Sequence, residues 1–306
     1  MKNAVITGPT GAVGISLINE LLDNGVKVTA VCREGSDRIK RLPVHENLVV
    51  IECNTNRYSE LPDMITEPQD VFYHFAWGCT TGGGRNDIGA QEENIKFSID
   101  AVEAAHKLGC KVFIGSGSQA EYGRVEGVLS ASTPAFPENG YGIAKLSAGM
   151  LTRIRCEQLG LTHIWTRILS VYGPFDGEQT LVISMIRKLM SGISPETTKG
   201  EQIWDFIYAG DAARAFRLIA DKGVHGKIYP IGSGVGKPLR EYIEAIGRAA
   251  NPEVEIGFGK IPYGDKQVMH LCADISELTK DTGFMPQYSF EEGIKNTVDW
   301  CRRTNG

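Results

Sequence analysis

Residues 7–14 read TGPTGAVG. A short β-branched run, NAVIT, precedes them, and an apolar-periodic segment, VGISLINELLDNG, follows. Gly8, Gly11 and Gly14 thus mark the passage from a strand (3–7) to a helix (13–25) that stops at Asn24-Gly25. Glycines at such a passage permit a tight turn and a close approach of backbone to a pyrophosphate. The helix behind them offers free N–H groups and the positive end of its dipole. A glycine triplet alone is weak evidence, but a strand before it, a helix after it and a place at position 8 make it a dinucleotide-binding loop. Gly8, Thr10, Gly11, Ala12, Val13 and Gly14 are the residues expected to hold the cofactor there.

Outward from this loop the pattern alternates. VKVTAVC (26–32), NLVVIEC (47–53), DVFYHFA (70–76), KVFIGS (111–116) and THIWTRIL (162–169) read as strands. QEENIKFSIDAVEAAHKLG (91–109) and YGIAKLSAGMLTRIRCEQLG (141–160) read as amphipathic helices between them. Such alternation implies right-handed crossovers and a buried parallel sheet. The expected fold is α/β, a doubly wound parallel-sheet Rossmann fold with a smaller C-terminal lobe. Residues 1–173 would form the dinucleotide-binding domain, with 206–232 returning to it. Residues 174–205 and 233–306 would form a substrate-binding lobe over the carboxyl ends of the strands.

The bulk numbers exclude several classes. The chain has 306 residues, a net charge of −5 and no Lys/Arg block, so no nucleic-acid partner is expected. Its apolar runs are strand-length, so no membrane span is expected. The start, MKNAVITG, runs straight into a strand, so no signal peptide is expected. Seven cysteines lie scattered without a C-x-x-C pair, which points to free thiols in the cytoplasm. The six histidines show no ligand spacing, and His74 sits inside an apolar run, so no metal site is expected.

Two further stretches carry chemistry. The second strand ends in VCREGSDR, where NAD-binding folds usually place an acid for the ribose 2′-hydroxyl. Here Arg33, with Ser36 and Arg38 following, suits a 2′-phosphate, so NADP(H) is favoured and NAD(H) is the alternative. YGIAK sets Tyr141 and Lys145 four residues apart, on one face of a helix. An ammonium beside a phenol is expected to lower its pKa and to make a proton donor usable near neutrality.

TGPTGAVG and YGIAK together resemble the short-chain dehydrogenase/reductase superfamily, and the glycine spacing resembles its extended branch, which acts mainly on nucleotide sugars. The resemblance implies that Tyr141 and Lys145 are catalytic. In GSGSQAEYG (115–123), matching the branch's Tyr-Gly to Tyr122-Gly123 puts Ser118 at its catalytic serine or threonine. Ser116 then bonds backbone beside the cofactor. Sugar 4,6-dehydratases of this branch carry Thr-Asp-Glu where this chain has Ser118, Gln119 and Ala120, and an amide and a methyl cannot serve as acid and base. Glu121 is displaced by one position and is expected to aim elsewhere. Ala76, at the end of the fourth strand, and Asn94 match positions that border or support the cofactor. RILSVYGP (167–174) has Ser170 where asparagine is usual, and WDFIYAGDAARA (204–215) keeps Asp211 but has Trp204 where an arginine often grips the diphosphate. Gln119, Ser170 and Trp204 are therefore expected near the substrate.

The resemblance implies a nucleotide-sugar substrate and hydride exchange at C4. The first expectation is a 4-keto-sugar reductase using NADPH. The second is a C4 epimerase with tightly held NAD. A non-enzymatic, dinucleotide-binding redox sensor ranks behind both, because a sensor needs no tuned phenol. The apolar stripes of helices 91–109 and 141–160 match those that pair relatives into homodimers.

Overall fold

The opening run forms strand β1 (Asn3–Thr7), and the glycine turn leads into helix α1 (Ala12–Asp23) of a computed structural model that describes residues 1–304. α1 buries Ile15, Leu17, Ile18, Leu21 and Leu22, each worth roughly 1.5–3 kcal/mol when fully removed from water. It ends at Asn24, and Gly25 follows with a φ of +72°, a conformation that costs glycine nothing. Strands β2 (Lys27–Cys32) and β3 (Leu48–Glu52) come next, then a short helix α2 (Leu61–Met64) and strand β4 (Val71–His74). Helix α3 (Ile88–Lys107) crosses to β5 (Val112–Ser118), and α4 (Gly140–Leu159) crosses to β6 (Thr162–Ile168). Beyond these lie β7 (Ser170–Tyr172), α5 (Leu181–Met190), β8 (Ile203–Trp204), β9 (Phe206–Tyr208), α6 (Ala209–Lys222) and β10 (Ile228–Ile231). The chain closes with β11 (Lys237–Pro238), α7 (Leu239–Ala250), β12 (His270–Leu271), α8 (Ser276–Thr282) and α9 (Phe290–Arg303).

Seven strands pair in parallel in the order β10-β6-β5-β4-β1-β2-β3. This is the doubly wound sheet read from the alternating pattern. The order reverses between β1 and β4, and that switch point opens the crevice in which such folds bind ligands. Register places Thr7 beside His74, His74 beside Gly115, and Ser118 beside Ile168 at the carboxyl ends.

One face of the sheet packs on α1, α6 and α8 through Leu17, Ile18, Phe216 and Phe284. The other packs on α2, α3 and α4 through Leu61, Val102, Ala105, Phe113 and Cys156. A third core, with Ile183, Ile186, Phe206, Tyr242 and Ile294, joins α5, α7 and α9. Phe206, Tyr242 and Phe290 meet there ring against ring, with centroids 4.6–5.7 Å apart.

Two boundaries differ from the sequence reading for local reasons. α3 starts at Ile88, because the Asp87 carboxylate accepts the N–H of Ala90 at 3.1 Å and caps the helix. In the later half, the apolar run around Asp205 forms two short strands, β8 and β9, instead of one. That carboxylate turns inward and accepts N–H groups from Ser233, Gly234 and Ala273.

Candidate active site

The three glycines of the first turn are needed for three different reasons. Gly8 has a φ of +67°, and a Cβ on it would lie 2.7 Å from the Ala76 nitrogen. Gly14 presses on Pro9, with a would-be Cβ 2.7 Å from the Pro9 backbone. Gly11 meets nothing within 4 Å and is the N-cap of α1, with no side chain satisfying the first-turn N–H groups. Open space in front of free N–H groups fits a pyrophosphate. Ala12 is buried, and Thr10 and Val13 are half-buried around it. Ala76 donates its N–H to Thr7 Oγ1 at 3.3 Å, which ties β4 to the same crevice.

At the end of β2, Arg33 and Arg38 are exposed. Neither makes an ion pair among the described residues. The nearby acids are already engaged. Glu34 pairs with Arg57 at 2.5 Å, and Glu52 accepts the N–H of Gly35 at 2.7 Å. Ser36 accepts the Arg38 N–H at 3.4 Å, so its hydroxyl caps the turn over 37–41.

The Asn139 side-chain oxygen Oδ1 accepts the Gly142 N–H at 2.9 Å and caps the start of α4. This sets Tyr141 and Lys145 one turn apart beneath the end of β5. Ser118, the last residue of β5, faces the Tyr141 phenol, and its hydroxyl favours the ionised form of that group. Lys145 is buried. Its ammonium donates to the Ser116 carbonyl at 2.5 Å and reaches the Ser116 hydroxyl at 3.4 Å. The same ammonium lies 3.8 Å from the centroid of the Trp77 ring. Asn94 both accepts from and donates to the backbone of Gly78 (2.9 and 3.1 Å), fixing the segment that carries Trp77.

The electrostatics correct one expectation. Burial, opposed by Glu121, pushes Lys145 down to about 7. Burial also pushes the Tyr141 phenol up, against the pull of the Ser118 hydroxyl and the Arg85 guanidinium. Burial outweighs what the Y-x₃-K spacing suggests, so the phenol stands above its ordinary value, while the Lys145 ammonium is bonded to Ser116 and lies 5.9 Å from the Tyr141 ring centroid. The sequence reading missed Trp77 and Arg85, since neither belongs to a spaced motif. A run of three glycines before Arg85 marks that loop without revealing its role.

Gln119 is half-buried at the rim, and Ala120 is buried. Glu121 is fully buried. Its carboxylate accepts the Ser118 N–H at 2.8 Å, the Trp165 indole N–H at 3.1 Å and the Arg167 Nε–H at 2.8 Å. A Cβ at Gly117 would collide with it. The S-x-x-E spacing of a capping box, which Ser118 and Glu121 form, is the sequence signal for this inward turn. Tyr122 is buried too, its hydroxyl donating to the Ser130 carbonyl at 2.8 Å and its ring lying under Arg167.

Beyond the end of β6 a cavity of about 480 Å³ is lined by Ser170, Trp204, Phe206, Leu181 and Ile243, with Asp176 and Glu196 as its acids and no Lys or Arg. Trp204 donates its indole N–H to Ser170 Oγ at 2.8 Å. Asp211, by contrast, is structural. It is buried and accepts the N–H groups of Gln287 and Tyr288, which ties the segment before α9 to α6. No group of three or more His, Cys, Asp or Glu that could hold a metal occurs among the described residues. No helix among them is long and apolar enough to cross a membrane.

Comparison with known proteins agrees with this geometry. The model of the NAD dependent epimerase/dehydratase family matches residues 4–232. The low-salt glycan biosynthesis protein Agl12 of Haloferax volcanii is 27% identical, over 97% of this chain and 98% of its own. A dTDP-glucose 4,6-dehydratase of Xanthomonas campestris is 28% identical, over 98% and 93%. The structure of a UDP-N-acetylglucosamine 4-epimerase from Methanobrevibacter ruminantium, in complex with UDP-N-acetylmuramic acid, superposes with a TM-score of 0.89 at 26% identity, over 99% of each chain.

Proposed function

We propose that this chain, which belongs to the NAD dependent epimerase/dehydratase family, transfers hydride at C4 of a nucleotide sugar without removing water from it. The carrying observation is the state of residues 118–121. The hydroxyl of Ser118 faces Tyr141, while the only acid of the stretch is sealed in an ion pair with Arg167. Elimination across C5 and C6 needs a base and an acid on the substrate. Gln119 and Ala120 supply neither.

A bound nicotinamide supplies or accepts the hydride. The chain does the rest. Ser118 holds the C4 oxygen, and Tyr141 gives it a proton in reduction or takes one in oxidation. Lys145 holds the nicotinamide ribose and keeps positive charge near the phenol. Gly8, Thr10, Gly11, Ala12, Val13 and Gly14 cradle the pyrophosphate, with Ala76, Asn94 and Ser116 along the same crevice. Gln119, Ser170 and Trp204 border the sugar and its carrier. The substrate-binding lobe is assigned to 174–205 and 233–306, and the dinucleotide-binding domain to 1–173 with 206–232.

The first reading is a 4-keto-sugar reductase using NADPH. Arg33 and Arg38 support it, because they stand free of acids where a 2′-phosphate would lie. Arg41 beside them adds to the cluster, its pKa pulled down by burial and then by Arg38. The second reading is a C4 epimerase with tightly held NAD, with which the likeness to the 26% identical 4-epimerase is compatible. A homodimer is supported by Ile143, Met150, Leu151 and Ile154, which lie on one face of α4 at 44–55% exposure. Scattered thiols without C-x-x-C spacing support a cytoplasmic location.

One experiment separates these readings. The protein is incubated with NADPH or NADH and with 4-keto-6-deoxy sugars on dTDP, CDP, GDP and UDP, and with the parent glucose nucleotides. A reductase consumes NADPH one for one with keto sugar. An epimerase inverts C4 with no net consumption and keeps its nicotinamide through dialysis. Turnover that releases water from any glucose nucleotide would refute the proposal.

A further inference from the structure

The cation nearest the face of the Tyr141 ring is not the lysine one turn along the helix. It is Arg85, from the loop between β4 and α3, whose Cζ lies 4.6 Å from the ring centroid. Lys145 Nζ is 5.9 Å away and bonded to Ser116. Arg85 is half-buried and makes no ion pair among the described residues. Its backbone is pinned from both sides. Asn86 Oδ1 accepts the Gly140 N–H at 2.9 Å, and a Cβ at Gly140 would lie 3.0 Å from the Arg85 carbonyl, so the loop rests on the first turn of α4. Gln91 donates to the carbonyls of Cys79 and Gly84 at 3.0 and 3.1 Å. Trp77 closes another side of the phenol, edge-on at 6.2 Å.

We propose that Arg85 is a positioning residue for Tyr141, laid on the face of its ring so that the phenolate is stabilised when the hydroxyl gives up its proton. A guanidinium stays charged at every working pH and stacks flat on aromatic rings. The face of a phenolate is far more negative than that of a phenol, so a cation above it favours the ionised form. The other charges around Tyr141 lie less directly on its ring. Glu121, below, opposes ionisation, and Arg167 largely offsets it at 2.8 Å. Lys145 faces Ser116 and Trp77. Arg85 is the cation closest to the ring, at 4.6 Å against 5.9 Å for Lys145. The inference rests on Tyr141 being the proton-transfer group.

The test reads that group directly. Tyrosinate absorbance is titrated in the full-length protein saturated with NADP⁺, or with NAD⁺ where that binds more tightly. The Tyr141→Phe curve is subtracted so that Tyr141 alone remains. Arg85→Met is expected to raise the midpoint by about one pH unit, a tenfold fall in phenolate below the midpoint. Arg85→Lys keeps the charge and is expected to restore at least half of that shift. A purely structural role would move the melting temperature or the dinucleotide affinity and leave the midpoint where it was. If Tyr141→Phe removes no titration step, the reading of Tyr141 fails and this inference fails with it. If the step is there and Arg85→Met leaves it unmoved, or Arg85→Lys shifts it as far as Arg85→Met does, the role of Arg85 alone is refuted.

Discussion

Replacing Glu121 with glutamine probes the floor of the site. In the native protein both carboxylate oxygens are used. Oε1 accepts from Ser118 N–H and Trp165 Nε1–H, and Oε2 accepts from Arg167 Nε–H. A glutamine can keep Oε1 in place, but its amide nitrogen then faces the Arg167 donor. The guanidinium, itself buried, is left charged and unpaired, and its Nη1 already lacks a partner. Removing one member of a buried pair costs about 3–5 kcal/mol. That is a large share of the roughly 5–15 kcal/mol by which such proteins are stable. Arg167→Met in the same chain removes the orphaned charge and fills the space with a flexible apolar side chain. The double variant should therefore be more stable than Glu121→Gln alone by about 2 kcal/mol or more. Urea unfolding followed by circular dichroism measures all four corners of the cycle. A loss below about 1 kcal/mol for Glu121→Gln, or no recovery in the double variant, would show that the pair is not what holds this corner together.

Arg33→Asp should move preference from NADP(H) towards NAD(H), read as the ratio of the two dissociation constants; an unchanged ratio would remove Arg33 from recognition of the 2′ position. Met150→Glu, placed in the exposed stripe of α4, should halve the mass seen by light scattering, whereas a wild-type monomer at micromolar concentration would defeat the dimer. Stability should fall as pH drops below the ordinary histidine range. Burial, with Lys145 adding to it at His74 and His225 at His163, pushes both histidines down to about 3. The unfolded chain, whose histidines titrate near 6.5, then binds more protons than the native one. Each histidine removes up to about 1.4 kcal/mol per pH unit, or about 4 kcal/mol for the two between roughly pH 6.5 and 5. Equal urea midpoints at about pH 7 and pH 5 would contradict this.

What sequence could and could not reveal follows from the range of the forces involved. The glycine turn, the strand and helix alternation and the sheet were legible, because turn chemistry and hydrophobic period are local. The meeting of Ser118 and Tyr141 was legible only through likeness to a family, since the two residues come from different elements. Glu121 was half legible. Its S-x-x-E spacing announces a capping box, but the partners that bury it, Trp165 and Arg167, belong to the neighbouring strand. Trp77 and Arg85 were not legible. Each reaches Tyr141 from the far side of a crossover, and no spacing within their own segment encodes that approach. The same holds for the Tyr141 phenol itself, whose ionisation is governed first by burial, a property of the whole fold.

The hydrogen bond between Trp204 and Ser170 joins two of the positions at which this chain departs from the pattern that the resemblance implies. Such a contact makes the two residues heritable as a unit. Arginine restored at 204 alone would lose the indole donor and bring a charge against the apolar wall of the cavity. Asparagine restored at 170 alone would push a longer amide against an indole seated 2.8 Å away. Either single reversion gives a protein that fits neither arrangement. The wall of the cavity is therefore set by the pair and not by either residue, and the coupling between them is what a double-mutant cycle on Trp204 and Ser170 would read.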